Sequence, residues 1–280
     1  MALLIPLIAS VLQSASFCLD KVILSVKKAT YKQYLVVSFP LITLFTFVIF
    51  LIFKPEINSE IFLAKNLLLI IISIAITIAS NLIFYNALKK DFLSEIQTIE
   101  LLKNFPLIIF AALIFPDERN YITIVLAIIS AAAIAWSHHE KKRFRISHTT
   151  VILLLWNLFI SPFRGIISKA LLETWNPITL QLVTDGLIGL ILFAAFFKTI
   201  KKTPKGAIPY LIITNILTSI AWILYYYSYQ ASGIVYTVLI FSLQPILVYL
   251  ASLIFFKEKF NYKKFASFII ILAAIILAQI

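Results

Sequence analysis

Long apolar runs alternate with short charged clusters along the whole chain. The runs carry few or no charges and last about 17–24 residues, enough to cross a hydrocarbon core of roughly 30 Å at about 1.5 Å per residue. Lipid offers no partners for backbone N–H and C=O groups, so such runs must be helices. Ten spans are expected, over residues 3–25, 34–53, 66–88, 92–115, 121–137, 150–172, 177–197, 207–230, 234–256 and 264–280. The expected fold is an all-α integral membrane protein with ten transmembrane helices. Its longest connection, around His138–His148, is too short to fold alone, so no soluble catalytic domain is expected.

Two of the charged interruptions read almost alike. "LIFPDERNY" stands at Leu113–Tyr121 and "LIFFKEKFNY" at Leu253–Tyr262, their first residues 140 apart in a chain of 280. Pro106 precedes Glu118 by 12 residues and Pro245 precedes Glu258 by 13. Upstream, "ALKKDFLS" (Ala87–Ser94) can be laid on "SYQASGIV" (Ser228–Val235), and "DKVIL" (Asp20–Leu24) on "SKALL" (Ser168–Leu172). The chain therefore reads as two five-helix units, 1–137 and 150–280, joined by a basic linker over 138–149. Five is odd, so the second unit must enter the membrane from the opposite face. Inverted repeats of this kind are a recurring design of secondary transporters, whose substrate site lies at the repeat interface near the membrane midplane.

Ten helices in two five-helix repeats, with an L-x-F-x-x-E-[RK] turn after spans 4 and 9, resemble the EamA family of the drug/metabolite transporter superfamily. The resemblance covers nearly the whole chain. It implies transport, frequently export, of a small amphiphilic metabolite such as an amino acid, and names no particular substrate. One departure is the glycine content: the chain has only five. Close helix packing then falls to Ala and Ser, which also let backbones approach.

Composition supports the membrane reading. Hydrophobic residues make up 62% and charged residues 13%, against about 25% charged in soluble domains. The net charge of +12 is expected to face anionic lipid and the cytoplasm rather than nucleic acid. One cysteine, Cys18, excludes an intrachain disulfide and a thiolate metal cluster. The N-terminal run lacks the basic start of a secretory signal, so a retained first helix is expected. Basic residues in the connections after odd-numbered spans number 17, against 3 (Lys54, Lys65, Arg119) after even-numbered ones. By the positive-inside rule both termini face away from the cytoplasm, whereas the family resemblance implies both inside; the charge count is taken as the stronger guide.

The candidate chemistry lies in polar residues within the spans, where a charge costs roughly 2.5–3.5 kcal/mol at mid-helix on insertion scales. Asn157, Ser161, Arg164 and Ser168 share one face of span 6, and Asp185 lies on span 7 with Gln181 one turn away. Either Arg164 reads an anionic substrate group with Asp185 helping to hold it, or the two close an ion pair that joins their helices. Glu100, Lys103 and Asn104 share a face of span 4 that has no charged counterpart on span 9. Either Glu100 takes up and releases a proton with Lys103 tuning it, or the pair neutralises itself. Thr77, Asn81 and Tyr85 on span 3 match Thr218, Trp222 and Tyr226 on span 8, with Asn215, Ser219 and Tyr229 extending the second stripe. These line a shared cavity, or the polar ones join helices and the tyrosines form an interfacial belt, the assignment favoured for Tyr229. Pro106 and Pro245 should kink their helices. Lys21 and Lys169 should snorkel, with Glu173 in reach of Lys169.

The expected partners are a small-molecule substrate and membrane lipid, with room for proton coupling and no nucleic acid, in a monomer or homodimer of the cell membrane. No cofactor, metal or enzymatic activity is expected. A polytopic membrane enzyme and a lipid-linked sugar flippase are the competing readings. The three histidines, His138, His139 and His148, cluster in the linker and read as a solvated loop.

Overall fold

The computed structural model describes residues 3–137, 147–255 and 260–278. The linker's central residues, and Glu258 with Lys257 and Lys259 of the second charged phrase, lie outside them. Every regular element among the described residues is helical. Helix α1 (Leu4–Lys21) runs on as a π-helical turn, Val22–Val26; α2 is Tyr31–Phe53 and α3 is Ala64–Lys90. The fourth span is two helices, α4 (Leu93–Leu101) and α5 (Asn104–Ile114), and the fifth is α6 (Tyr121–Ser137). The sixth is also broken, into α7 (His148–Phe159) and α8 (Ser161–Leu172), bent by 42°. Then come α9 (Pro177–Ile200), α10 (Ile208–Phe241), α11 (Gln244–Phe255) and α12 (Tyr262–Leu277).

The prolines explain the breaks. A proline ring clashes with the carbonyl four residues back but is tolerated in a helix's first turn. Pro106, Pro162 and Pro245 each fall in the first turn of the helix after a break. The kinks expected from Pro106 and Pro245 appear as short interruptions of the helical hydrogen bonding just before each proline, at Leu102–Lys103 and Ser242–Leu243, where Leu102, Lys103 and Ser242 keep right-handed helical dihedrals. The break at Ile160 before Pro162 was not expected.

Helix α10 looks like one 34-residue helix but is two. Gly233 has φ +81° and ψ 172°, outside the helical region. Ser228 Oγ and Thr237 Oγ1 are 2.6 Å apart, although nine residues of straight helix would separate them by about 13 Å. The chain folds back at Gly233, between the expected eighth and ninth spans. Among the described residues, five helical runs are long and apolar enough to cross a membrane, six with the bent α7–α8 pair. One of the five, Lys205–Phe255, has 51 residues, more than twice the roughly 20 that one crossing needs, and it contains this turn.

The charged phrase has a mechanical role. Glu118, buried, accepts hydrogen bonds from the backbone N–H groups of Ile234 (2.6 Å) and Val235 (2.9 Å), just after Gly233. The carboxylate thereby caps the helix that starts there, where orphan N–H groups and the dipole favour negative charge. Arg119 donates to the carbonyls of Ala112 (3.0 Å) and Leu113 (3.3 Å), closing the end of α5. Asn120 Oδ1 accepts from Thr123 N–H and caps α6, and Asn261 accepts from Lys263 N–H in the same way at α12. Lys21 and Lys169 also have corresponding tasks. Lys21 donates to the carbonyls of Leu88 and Asp91 at the end of α3, and Lys169 to that of Tyr229 where α10 folds back. Lys169 pairs with Asp117 (3.1 Å) and Glu118 (3.5 Å) rather than with Glu173.

Helix α1 packs on α10, α3 on α7 and α8, α2 on α9, α6 on α12, and α4 on α11. Small polar side chains fill these contacts: Ser16 meets Thr214 and Thr218, and Asn215 donates to Ser38. Large apolar residues such as Phe53, Leu190 and Ile254 cover the outside. Tyr229 does not join an interfacial belt; it is buried, its hydroxyl 2.6 Å from that of Tyr225.

Candidate functional site

A polar cavity opens between α1, α2, α3, the α4–α5 break, α8, α9 and α10, with about 80 Å³ open to water-sized molecules. The volume admits several waters. Eight of the nine candidate residues line it: Asn81 and Tyr85 from α3, Glu100 and Lys103 at the break, Arg164 from α8, Asp185 from α9, and Trp222 and Tyr226 from α10. Asn157 does not. Buried on α7, it donates to Glu100 Oε2 (3.0 Å) and the Ile99 carbonyl (3.1 Å), and so holds a cavity residue from behind.

The two stripes read on the third and eighth spans share this cavity. Thr77, Asn81 and Tyr85 meet Thr218, Trp222 and Tyr226 there. One-turn spacing puts each set on a single helix face, so a shared wall needs only that both faces point inward. The residues extending the second stripe pack elsewhere. Asn215 bonds Ser38 and the Leu211 carbonyl, and Ser219 bonds the Asn215 carbonyl.

The charges divide into one closed pair and two open groups. Lys103 pairs with Glu100, and Asn157 holds the carboxylate's second oxygen. Arg164 lies with its guanidinium carbon 4.7 Å from the centre of the Trp222 ring, a cation–π contact. No salt bridge within 4 Å joins it to Asp185 among the described residues, although both line the cavity. The arginine is oriented by an aromatic face, which leaves its N–H fork able to meet a planar acceptor. Trp222 also meets Tyr225 and Tyr226, so an aromatic wall adjoins the cation.

Sequence reasoning missed the lining from α1 and α2: Gln13 and Phe17, and Tyr34, Ser38 and Ile42. The signal was present, since Gln13 and Phe17 are four apart, as are Tyr34, Ser38 and Ile42. It also passed over Asp20, which lies behind this wall and accepts from Tyr34 and Tyr85.

Apolar outer faces around a charged and aromatic cavity fit a multi-pass helical membrane protein. Residues 148–279 match the model of the EamA-like transporter family, so this part of the chain is similar to that family. One solved crystal structure shares the fold, with a TM-score of 0.73 at 14% identity over 99% of this chain and 96% of its own. No curated protein matches the chain in sequence.

Proposed function

We propose that the protein is a secondary transporter of the cell membrane that binds a small amphiphilic metabolite, such as an amino acid, in the central cavity and moves it by alternating access, in the export direction. The observation that carries this reading is Arg164. A cation within a membrane span is costly unless partnered or functional, and this one rests on Trp222 over a cavity instead of closing on Asp185. Arg164 would receive the carboxylate, Asp185 and Gln181 would face the amine, and Trp222 and Tyr226 would take the apolar part.

The proposed architecture is ten membrane crossings in two inverted five-helix repeats, 1–137 and 150–280, with the site between them. Helix pairing supports it. A two-fold axis exchanging span n with span n+5 turns the α1–α10 contact (spans 1 and 8) into the contact of α3 with α7 and α8 (spans 3 and 6). It maps the α2–α9, α6–α12 and α4–α11 contacts onto themselves. The matching anchors of Lys21 and Lys169 add a second, side-chain correspondence.

The test is uptake and exchange of a radiolabelled amino-acid panel by proteoliposomes holding the purified chain. Flux of at least one solute, competed by its unlabelled form and lost in Arg164→Ala, is the expected result. A correctly inserted protein that moves none of the panel in either direction would remove the amino-acid reading.

A further inference from the structure

Asp20 is a carboxyl in a membrane-spanning helix with no exposed surface. Among the described residues its oxygens accept only from neutral hydroxyls: Tyr34 of α2 and Thr214 of α10 at Oδ1, each 2.7 Å, and Tyr85 of α3 at Oδ2, 3.4 Å. No cation lies within 4 Å of it among the described residues. Lys21, its neighbour in sequence, turns to the carbonyls of Leu88 and Asp91. Helix α11, also packed on α1, directs the Tyr249 hydroxyl to the Asn261 N–H, and the π-helical turn that follows Lys21 has no titratable side chain. Glu100, a carboxylate lining the cavity, is engaged by Lys103 and Asn157.

Two hydroxyl chains join Asp20 to the central cavity. Tyr34 and Tyr85 line the cavity themselves, their hydroxyls 3.3 Å apart. On the other side Thr218, also in the cavity wall, is 2.6 Å from Ser16 Oγ, which is 2.8 Å from Thr214 Oγ1. Each hydroxyl both donates and accepts, so each can pass one proton on while receiving another.

We propose that Asp20 is a proton-binding site that exchanges with the cavity along these hydroxyls. A hydronium in the cavity gives its proton to the first hydroxyl, each member hands one forward, and Oδ1 ends as a neutral carboxyl while water remains in the cavity. The chain is unchanged apart from hydroxyl orientation, which reverses on return. A proton fits this place because the oxygens already meet one another at hydrogen-bond distance. Use of the site to couple solute movement rests on the transport reading above.

The test is a pH-difference infrared spectrum of the full chain in proteoliposomes. Acidification should raise a carboxylic C=O band in the wild type and in Glu100→Gln that is missing in Asp20→Asn. Should Asp20→Asn fail to fold, Asp20→Glu should keep the band at an altered frequency. Tyr34→Phe and Thr214→Val should shift its midpoint, because each removes a hydroxyl that donates to Asp20. A band unchanged in Asp20→Asn, or unchanged in all of Asp20→Glu, Tyr34→Phe and Thr214→Val, would overturn the proposal. With the amino-acid panel, wild-type flux should respond to an imposed pH gradient and Asp20→Asn flux should not; a variant flux that still responds overturns the coupling role. Absence of any flux counts against the transport reading and leaves the infrared result to decide the proton site.

Discussion

At the scale of the residue, the arrangement of Arg164, Trp222 and Asp185 separates two meanings that the sequence left open. A closed ion pair would have spent the arginine's charge inside the protein. The observed cation–π contact fixes its position and leaves the guanidinium edge available. Truncating a buried charge that meets a charged ligand costs about 2–5 kcal/mol. Arg164→Ala should therefore lower substrate affinity by roughly 30-fold or more, while protein yield and size-exclusion profile stay as in the wild type. Asp185→Asn should also reduce flux. The double variant should be no worse than the worse single one, since both residues act through one bound solute. Additive losses in a flux assay would separate the two residues. Arg164→Lys should not rescue, because an ammonium lacks the planar surface that stacks on Trp222.

At the scale of the element, the Glu118 cap and the turn at Gly233 show what the first of the two charged phrases does. A Cβ on Gly233 would lie 2.7 Å from Glu118 Oε1, and its φ of +81° is one L side chains rarely adopt. Gly233→Ala should lower the thermal midpoint in detergent by an amount corresponding to about 1–2 kcal/mol or more. Glu118→Gln keeps the shape but replaces one accepting oxygen with an NH₂ facing a backbone N–H. It should cost about 1–2 kcal/mol, and the same melting assay reads it. A midpoint equal to the wild type in both variants would mean that α10 turns without help from this cap.

Helix faces allow a second test at this scale. After Cys18 is replaced, cysteines at Asn81 and Trp222 should react with a small water-soluble thiol reagent, since both positions line the cavity. Cysteines at Leu82 and Ile223, which do not line it, should resist. A transported solute should protect the first two. Equal labelling at 81 and 82 would place the aqueous space elsewhere.

At the scale of the whole molecule, the basic connections gather on one side. Lys27 lies over the Tyr210 ring and Gln33 donates to the Lys202 carbonyl, so the connections after the first and seventh spans meet, and Lys90 meets Thr149, so those after the third and fifth do. By the positive-inside rule this side is expected to be cytoplasmic, with both termini outside. A C-terminal fluorescent reporter that folds only in the cytoplasm should stay dark, and an export-dependent phosphatase fusion should be active. The opposite pair of results would invert the topology and leave the cavity unchanged.

The sequence by itself determined where helices run, because apolar length and backbone satisfaction in lipid are local requirements that nearly every run meets within a few residues of its observed ends. It also marked Pro106 and Pro245 as disruptive and gave the two cavity stripes, because one-turn spacing is a property of a single helix. Tertiary structure alone decided which faces meet. Glu118 caps a helix 116 residues away in sequence, Asp20 finds its hydroxyls on three other helices, and Arg164 chooses an aromatic face over a carboxylate. These are contacts between distant segments, and no spacing along the chain encodes them. A span-embedded charge announces that it needs a partner, but the packing of the other helices settles which one it gets.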